Sequence, residues 1–282
     1  MSSVFEPVPA RSRRERLAEY GAFLRERDGE PDLVGRTLSR REAATASFES
    51  SPLRYAGRFP SSVFEAQYRR FDPARPTPPE VALLLVFVKI NANEAYAVER
   101  VTHRRHDGDE LSAQLTRLVL LEERYHTRLL LSATVLFGVR VTEPALPVAT
   151  TRAIVAGIAD LPEIASRPVT LAGEIIGVLT FLRLVGAVRR VFRDQPEIRD
   201  ALEERVTEVL IDEVGHMSLN RLLAAPGTFA ALRAILPVVA LGTRRALPEA
   251  EALGILPVPV REALSFDATV LPEHVRRRAF IA

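Results

Sequence analysis

Two segments of the sequence place a histidine three residues after a glutamate. They are LLEERYH, which contains Glu123 and His126, and LIDEVGH, which contains Glu213 and His216. Both segments lie in long stretches with helical apolar periodicity, where positions i and i+3 share a face. Each pair can therefore direct a carboxylate and an imidazole at one point. Oxygen and nitrogen donors of this kind are suited to binding a transition-metal ion.

Two more glutamates, Glu94 and Glu174, lie within apolar segments that predict helices, where an unpaired carboxylate is costly. Residues that face each other across a helical hairpin lie equally far from its turn. The midpoint of 94 and 123 is 108.5, within the helix breaker HDGD, and the midpoint of 174 and 213 is 193.5, within RDQPE. Glu99 is a competitor for Glu94, but its midpoint with Glu123, at 111, lies beyond the turn. The pattern predicts six metal ligands: Glu94, Glu123, His126, Glu174, Glu213 and His216.

Composition narrows the choice of metal. The chain has 282 residues, of which 47% are hydrophobic, with five histidines and no cysteine. Disulfides, thiolate metal sites and cysteine nucleophiles are therefore excluded. A metal bound mainly by carboxylates fits iron or manganese better than structural zinc.

Charge and apolar runs indicate the compartment. The formal net charge is +2, and the arginines are scattered, whereas a nucleic-acid interface concentrates them on one face. The longest uninterrupted apolar runs, 81–88 and 175–182, are too short to span a membrane, and we see no signal peptide. We expect a cytoplasmic homodimer that binds neither nucleic acid nor a membrane.

The periodicity predicts an all-α fold in one domain. We expect an N-terminal extension with short helices (1–77), a four-helix bundle (78–224), and a C-terminal helix and tail packed on that bundle (225–282). The bundle helices are predicted at Pro78–Arg105, Asp109–Val139, Pro168–Arg193 and Pro196–Ala224, and a long crossover joins the two hairpins. Flanking helices are predicted at Ser12–Arg27, Ser39–Glu49, Ser61–Phe71, Thr150–Asp160 and Thr228–Leu241.

The order Glu94, Glu123-x-x-His126, Glu174, Glu213-x-x-His216 resembles the ferritin-like di-iron carboxylate superfamily, over about residues 78–224. The resemblance implies a ferritin-like four-helix bundle with two iron ions, or manganese in their place. It further implies that Glu123 and Glu213 bridge or chelate the metals and that each histidine binds one of them. The plain alternative is a helical bundle whose polar core residues satisfy one another without metal.

Within the superfamily the chain resembles the oxygenase branch, and most closely the arylamine N-oxygenases of biosynthesis. Those enzymes have an additional histidine one turn before the last Glu-x-x-His, where this chain has Val209. The resemblance implies a monooxygenase that uses O2 and an external electron donor, a protein or a small reductant. N-oxygenation, hydroxylation, desaturation and C–C cleavage all remain open for the small organic substrate. Other functions left open are iron oxidation without an organic substrate and a non-catalytic interaction protein.

Small or apolar residues one turn from the ligands predict a substrate pocket: Ala97, Gly177, Val178, Phe181 and Val209. Both motifs also carry an acid just before the glutamate, Glu122 and Asp212. A metal-bound histidine usually donates its second ring N–H to a carboxylate. We therefore predict crossed hydrogen bonds from His126 to Asp212 and from His216 to Glu122, with surface acids as the alternative.

Overall fold

The computed structural model describes residues 3–29, 36–101, 110–141 and 149–282, without the side chains of residues 91–95, 97–101, 150 and 154. The described residues form helices and loops, with no strand among them, so the predicted all-α class is confirmed. The longer helices are α1 (Ala10–Asp28), α2 (Ser39–Glu49), α3 (Ser61–Arg69), α4 (Pro79–Val101), α5 (Glu110–Ser132), α6 (Ala149–Ala159), α7 (Glu163–Val191), α8 (Pro196–Leu223) and α9 (Thr228–Ala246). A 3-10 turn (Ala133–Phe137) continues α5, and α10 (Glu249–Ala252), α11 (Val260–Leu264), a 3-10 turn (Ala268–Val270) and α12 (Glu273–Arg278) form the C-terminal tail.

Four long helices carry the predicted ligands. Helix α4 packs on α5 and α7 packs on α8, while α5 also contacts α8 and α4 contacts α7. Each helix therefore has two neighbours within this group of four. The contact faces are apolar, since the run from Val81 to Val88 is fully buried, as are Leu171, Ile175 and Leu210. Burial of such side chains stabilises the fold by about 1.5–3 kcal/mol each.

The boundaries of two of these helices differ from the prediction. Helix α7 begins at Glu163, so Pro168, the predicted first residue, lies inside the helix. This prediction was wrong because a proline near a helix N-terminus loses only one backbone hydrogen bond, which the apolar contacts of α7 outweigh. Helix α5 becomes a 3-10 turn after Ser132, before the predicted end at Val139. The turn between α7 and α8, predicted within 193–197, spans 192–195, and the turn predicted at 106–109 lies outside the described residues.

The N-terminal helices cover the outside of the α5–α8 pair. Helix α1 contacts both α5 and α8, α2 contacts α5, and α3 contacts α4. Leu17, Tyr20 and Leu24 of α1 form a separate apolar cluster with Leu115 of α5 and Leu222 of α8. This packing carries arginines of the extension to the back of the ligand helices.

The C-terminal helices pack on three of the four long helices. Helix α9 lies against α7, α10 against α4 and α12 against α8. Helix α7 is the one described helix long and apolar enough to cross a membrane, and 67% of its apolar window is buried inside the protein. That degree of burial is typical of a core helix.

Candidate metal centre

The two Glu-x-x-His motifs face each other across the contact between α5 and α8. The imidazole centroids of His126 and His216 are 5.7 Å apart. Glu123 lies between the rings, with Oε1 2.9 Å from Nδ1 of His216 and Oε2 3.4 Å from Nδ1 of His126. Glu213 Oε1 is also 3.4 Å from Nδ1 of His126. Both histidines thus direct Nδ1 at the same group of carboxylates.

The side chains form two groups that share Glu123. One group contains Glu123, His126 and Glu213, and the other contains Glu123, Glu174 and His216, with the ligand atoms of each group within 4.8 Å of one another. Glu174 reaches the second group from α7. The structure therefore brings five of the six predicted ligands together. Glu94 lies on α4, but its side chain is outside the described residues.

The outer nitrogens of the two histidines make the crossed hydrogen bonds predicted from the sequence. His126 Nε2 lies 3.0 Å from Asp212 Oδ2, and His216 Nε2 lies 3.0 Å from Glu122 Oε2. The two acids are almost fully buried, with 2% and 0% exposure, so neither is a surface residue. A carboxylate accepts hydrogen bonds, so each Nε2 carries the proton and each Nδ1 is left to bind a metal.

Arginines of the N-terminal extension neutralise these two acids. Arg36 donates to Glu122 at 2.7 Å and also pairs with Asp28 at the end of α1. Arg41 donates from both terminal nitrogens to Asp212, at 2.9 and 3.1 Å. Arg27 forms an ion pair with Asp212 as well. These arginines are scattered in the sequence, and nothing in their spacing shows that α1 and α2 fold onto the back of α5 and α8.

The electrostatics follow from burial and from these partners. Burial and the nearby Asp212 charge favour the neutral form of Glu122, but Arg36 and His216 outweigh them and lower its pKa. Burial likewise opposes ionisation of Asp212, yet Arg27, Arg41 and His126 hold its pKa well below the ordinary value. Both acids are therefore anionic at neutral pH and act as hydrogen-bond acceptors.

In the metal-free protein, His126, His216 and Glu174 carry protons at the place where a bound metal ion would supply positive charge. Burial disfavours charge on His126, but hydrogen bonds to Asp212, Glu123 and Glu213 raise its pKa well above 6.5. Burial opposes charge on His216 as well, and Glu123 and Glu122 outweigh it, so its pKa is also raised. Burial and then the charge of Glu213 raise the pKa of Glu174.

Four buried atoms at the centre make no well-aligned hydrogen bond, although ion-pair contacts of 2.9–3.4 Å connect the carboxylates and the imidazoles: Glu123 Oε2, His126 Nδ1, Glu213 Oε1 and His216 Nδ1. An unsatisfied buried polar atom costs about 1–3 kcal/mol. All four atoms belong to predicted ligands, and they point at one another. The residues present therefore fit divalent metal ions, which would satisfy all four atoms at once.

Asn220 contacts the candidate metal centre and was not among the residues predicted from the sequence. Its side-chain amide donates to Glu174 Oε1 at 3.0 Å and to the backbone oxygen of His216 at 3.0 Å, while its Oδ1 accepts from Arg167 at 2.7 Å. Because arginine only donates, this contact orients the amide so that its N–H groups face Glu174. Asn220 lies four residues after His216, and this helical spacing could have identified it.

The predicted pocket residues lie in different surroundings. Val178, Phe181 and Val209 are buried in the apolar core, with at most 2% exposure. Gly177 lies beside the metal centre, where an added Cβ would be 3.3 Å from Glu213 Oε2, and Ala97 lies on α4 with its side chain outside the described residues. The pocket itself stays a prediction.

No known protein-family model, curated protein or solved structure matches this chain.

Proposed function

We propose that this protein is an oxidoreductase of the ferritin-like di-iron class, with two iron ions held between α4, α5, α7 and α8 as a four-helix bundle. The observation that carries the proposal is the convergence of four buried atoms without a well-aligned hydrogen bond, on Glu123, His126, Glu213 and His216. Without metal, the histidines and carboxylates would pair there in poor hydrogen-bond geometry, and a poorly satisfied buried polar atom costs about 1–3 kcal/mol. The outward hydrogen bonds to Glu122 and Asp212 support the same reading, because they reserve both Nδ1 atoms for a metal.

The two groups of side chains lead us to propose one metal ion for each group. Glu174 joins His216 and Glu123 in one group, so Glu94, its counterpart on α4, is proposed to complete the group of His126, Glu123 and Glu213. Glu123 is shared by both groups and is the proposed bridge. The four negative charges of Glu94, Glu123, Glu174 and Glu213 then balance the four positive charges of two divalent cations. The surrounding residues balance separately, since three acids (Asp28, Glu122, Asp212) pair with three arginines (Arg27, Arg36, Arg41).

The proposed reaction is the O2-dependent oxygenation of a small organic molecule, by N-oxygenation or hydroxylation. Reduced iron in such a centre supplies the electrons that activate O2, and an external donor restores them. The chain positions the ligands, excludes bulk water from their outer side and holds both histidine tautomers. The inner side is more open, since the Glu123 side chain is 14% exposed whereas that of Glu122 is 1% exposed. This difference supports access of a small molecule from the ligand side.

Metal analysis and O2 consumption test the proposal. Metal-free protein titrated anaerobically with Fe(II) should bind two ions per chain, and admission of O2 with a reductant should convert an aromatic amine or another apolar test substrate. The double variant His126→Ala/His216→Ala should lose most of the bound iron. Full iron occupancy in that variant would refute the metal assignment. Iron oxidation without any organic product would favour the iron-handling alternative over the oxygenase.

A further inference from the structure

A cavity lies on the outer side of the candidate metal centre, behind Asp212. It is an open cleft with a volume of about 790 Å³, lined by residues of α1, α2, α5, α8 and α12. Binding pockets for small molecules usually measure about 300–1,000 Å³. Arg27 and Arg41 form part of its wall, and the same two side chains bind Asp212. One layer of arginine side chains therefore separates this cavity from the acid that holds His126.

Arg205, on the wall formed by α8, is a buried cation without an acidic partner. It is 6% exposed, and no aspartate or glutamate in the described part of the chain lies within ion-pair distance of it. Its Nε donates to Ser132 Oγ and its Nη1 to the backbone oxygen of Ala201, both at 3.3 Å. Its guanidinium also lies 3.1 Å from the ring centre of Phe48. Burial lowers the pKa of Arg205 to about 10, so it remains charged at neutral pH.

Burial of the Arg205 charge has a cost that an anion at this position would reduce. An isolated buried charge is strongly disfavoured, and the buried arginines behind the metal centre all have acidic partners. Nη2 of Arg205 makes no hydrogen bond to any described residue, and Arg205 is part of the cavity wall. A carboxylate in the cavity could accept from this nitrogen.

The other residues of the cavity wall indicate which chemical groups the ligand has besides its charged group. Tyr125 and Leu129 provide apolar surface on α5, and the exposed acids Glu26 and Glu204 also line the cavity. Among the other arginines of the wall, Arg27, Arg41, Arg277 and Arg278 pair with acids and Arg40 is exposed, so Arg205 leaves one buried positive charge to balance, which favours a singly charged anion. We propose that the cavity binds an organic monoanion, in which a carboxylate contacts Arg205 and a planar apolar body packs against Tyr125 and Leu129.

The probe for the experiment is benzoate, compared with benzamide and inorganic phosphate. Benzamide has the same shape but no charge, and phosphate has charge but no apolar body. Calorimetric titration of the full chain should show one benzoate site per chain, with benzamide at least about tenfold weaker because a hydrogen bond to a charged partner is lost. Equal binding of benzoate and benzamide, tighter binding of phosphate than of benzoate, or no benzoate binding at tens of millimolar would overturn the proposal.

Two variants locate the binding site. Arg205→Gln removes the charge and should weaken benzoate binding by about tenfold or more. Arg205 is buried, so its substitution can also change the stability of the fold, and Ala44→Phe gives a second test. Ala44 is exposed on α2 and lines the cavity, so a phenylalanine side chain there should fill the cavity without disturbing the core. Ala46→Phe is the matched control, since Ala46 is exposed on the same helix but is not among the lining residues. Benzoate binding that is the same in both alanine variants would place the ligand elsewhere and refute the proposal.

Discussion

Substitution of Asp212 by asparagine should weaken one metal site specifically, because every acceptor position of this carboxylate faces a donor. Oδ2 accepts from His126 and from Arg41, and Oδ1 accepts from Arg41 and from Arg27. Asparagine has one oxygen and one NH2 group, so in either orientation the amide nitrogen would meet donors. The contact with His126 is the easiest to change, since its ring proton can move from Nε2 to Nδ1. Nδ1 would then carry a proton and could not bind a metal.

The size of the effect follows from these contacts. Loss of an outer carboxylate partner lowers metal affinity by about 10–100-fold, which corresponds to about 1.4–2.7 kcal/mol. Removal of one partner from a buried ion pair also destabilises a fold by about 3–5 kcal/mol, and Asp212 is the shared partner of two arginines. The variant should therefore show a lowered melting temperature as well as weaker metal binding.

The assay is an anaerobic Co(II) or Fe(II) titration of metal-free protein, followed by absorption spectroscopy. We expect one of the two metals to bind with unchanged affinity and the other to bind 10–100-fold more weakly. Glu122→Gln should affect the other metal, because Glu122 holds His216. Asp200→Asn is the control, since Asp200 is an exposed residue of the same helix α8 and pairs with Arg199. If a folded Asp212→Asn protein bound both metals as tightly as the unchanged chain, the positioning role of Asp212 would be wrong.

Three further predictions concern the inner side of the centre. Asn220→Ala removes the N–H donated to Glu174, so the metal beside His216 should bind about 2–10-fold more weakly in the same titration; an effect on the other metal alone would contradict this. Gly177→Ala would place a Cβ 3.3 Å from Glu213 Oε2 and should weaken metal binding. Gly173→Ala is the control: its Cβ would have no atom within 4 Å, so it should raise helix stability by about 0.5–1 kcal/mol and leave metal binding unchanged. Equal metal affinities in the two variants would argue against crowding at Glu213. The raised pKa values keep His126, His216 and Glu174 protonated in the metal-free protein. Metal binding should therefore release protons, and the metal affinity should increase as pH rises. The stability that these bound protons give the metal-free fold should be lost as pH rises through the raised pKa values. A titration in weak buffer that released no protons would refute the assigned protonation states.

The positions of the ligands could be predicted from the sequence because helices are regular. A spacing of three residues places Glu123 with His126 and Glu213 with His216 on one face, whatever packs around them. The equal distances of 174 and 213 from the turn at 192–195 aligned Glu174 with Glu213, and the structure brings Glu174 into the same site. The crossed partners Glu122 and Asp212 followed from the same geometry, since a residue one position earlier points about 100° away, toward the neighbouring helix.

The arginine contacts on the outer side of the centre, behind Glu122 and Asp212, could not be predicted from the sequence, because they depend on tertiary structure. Arg27, Arg36 and Arg41 lie 86–185 residues before Glu122 and Asp212, in α1, in the connection between α1 and α2, and in α2, without a distinctive sequence pattern. Their role depends on how α1 and α2 pack on α5 and α8, which is set by apolar contacts such as those of Tyr20 and Leu24. Arg205 illustrates the same limit, because the sequence shows a charged residue on a helix but not its burial without an acidic partner. Local periodicity determines which residues share a face, whereas only the packing of distant segments determines which charges are paired.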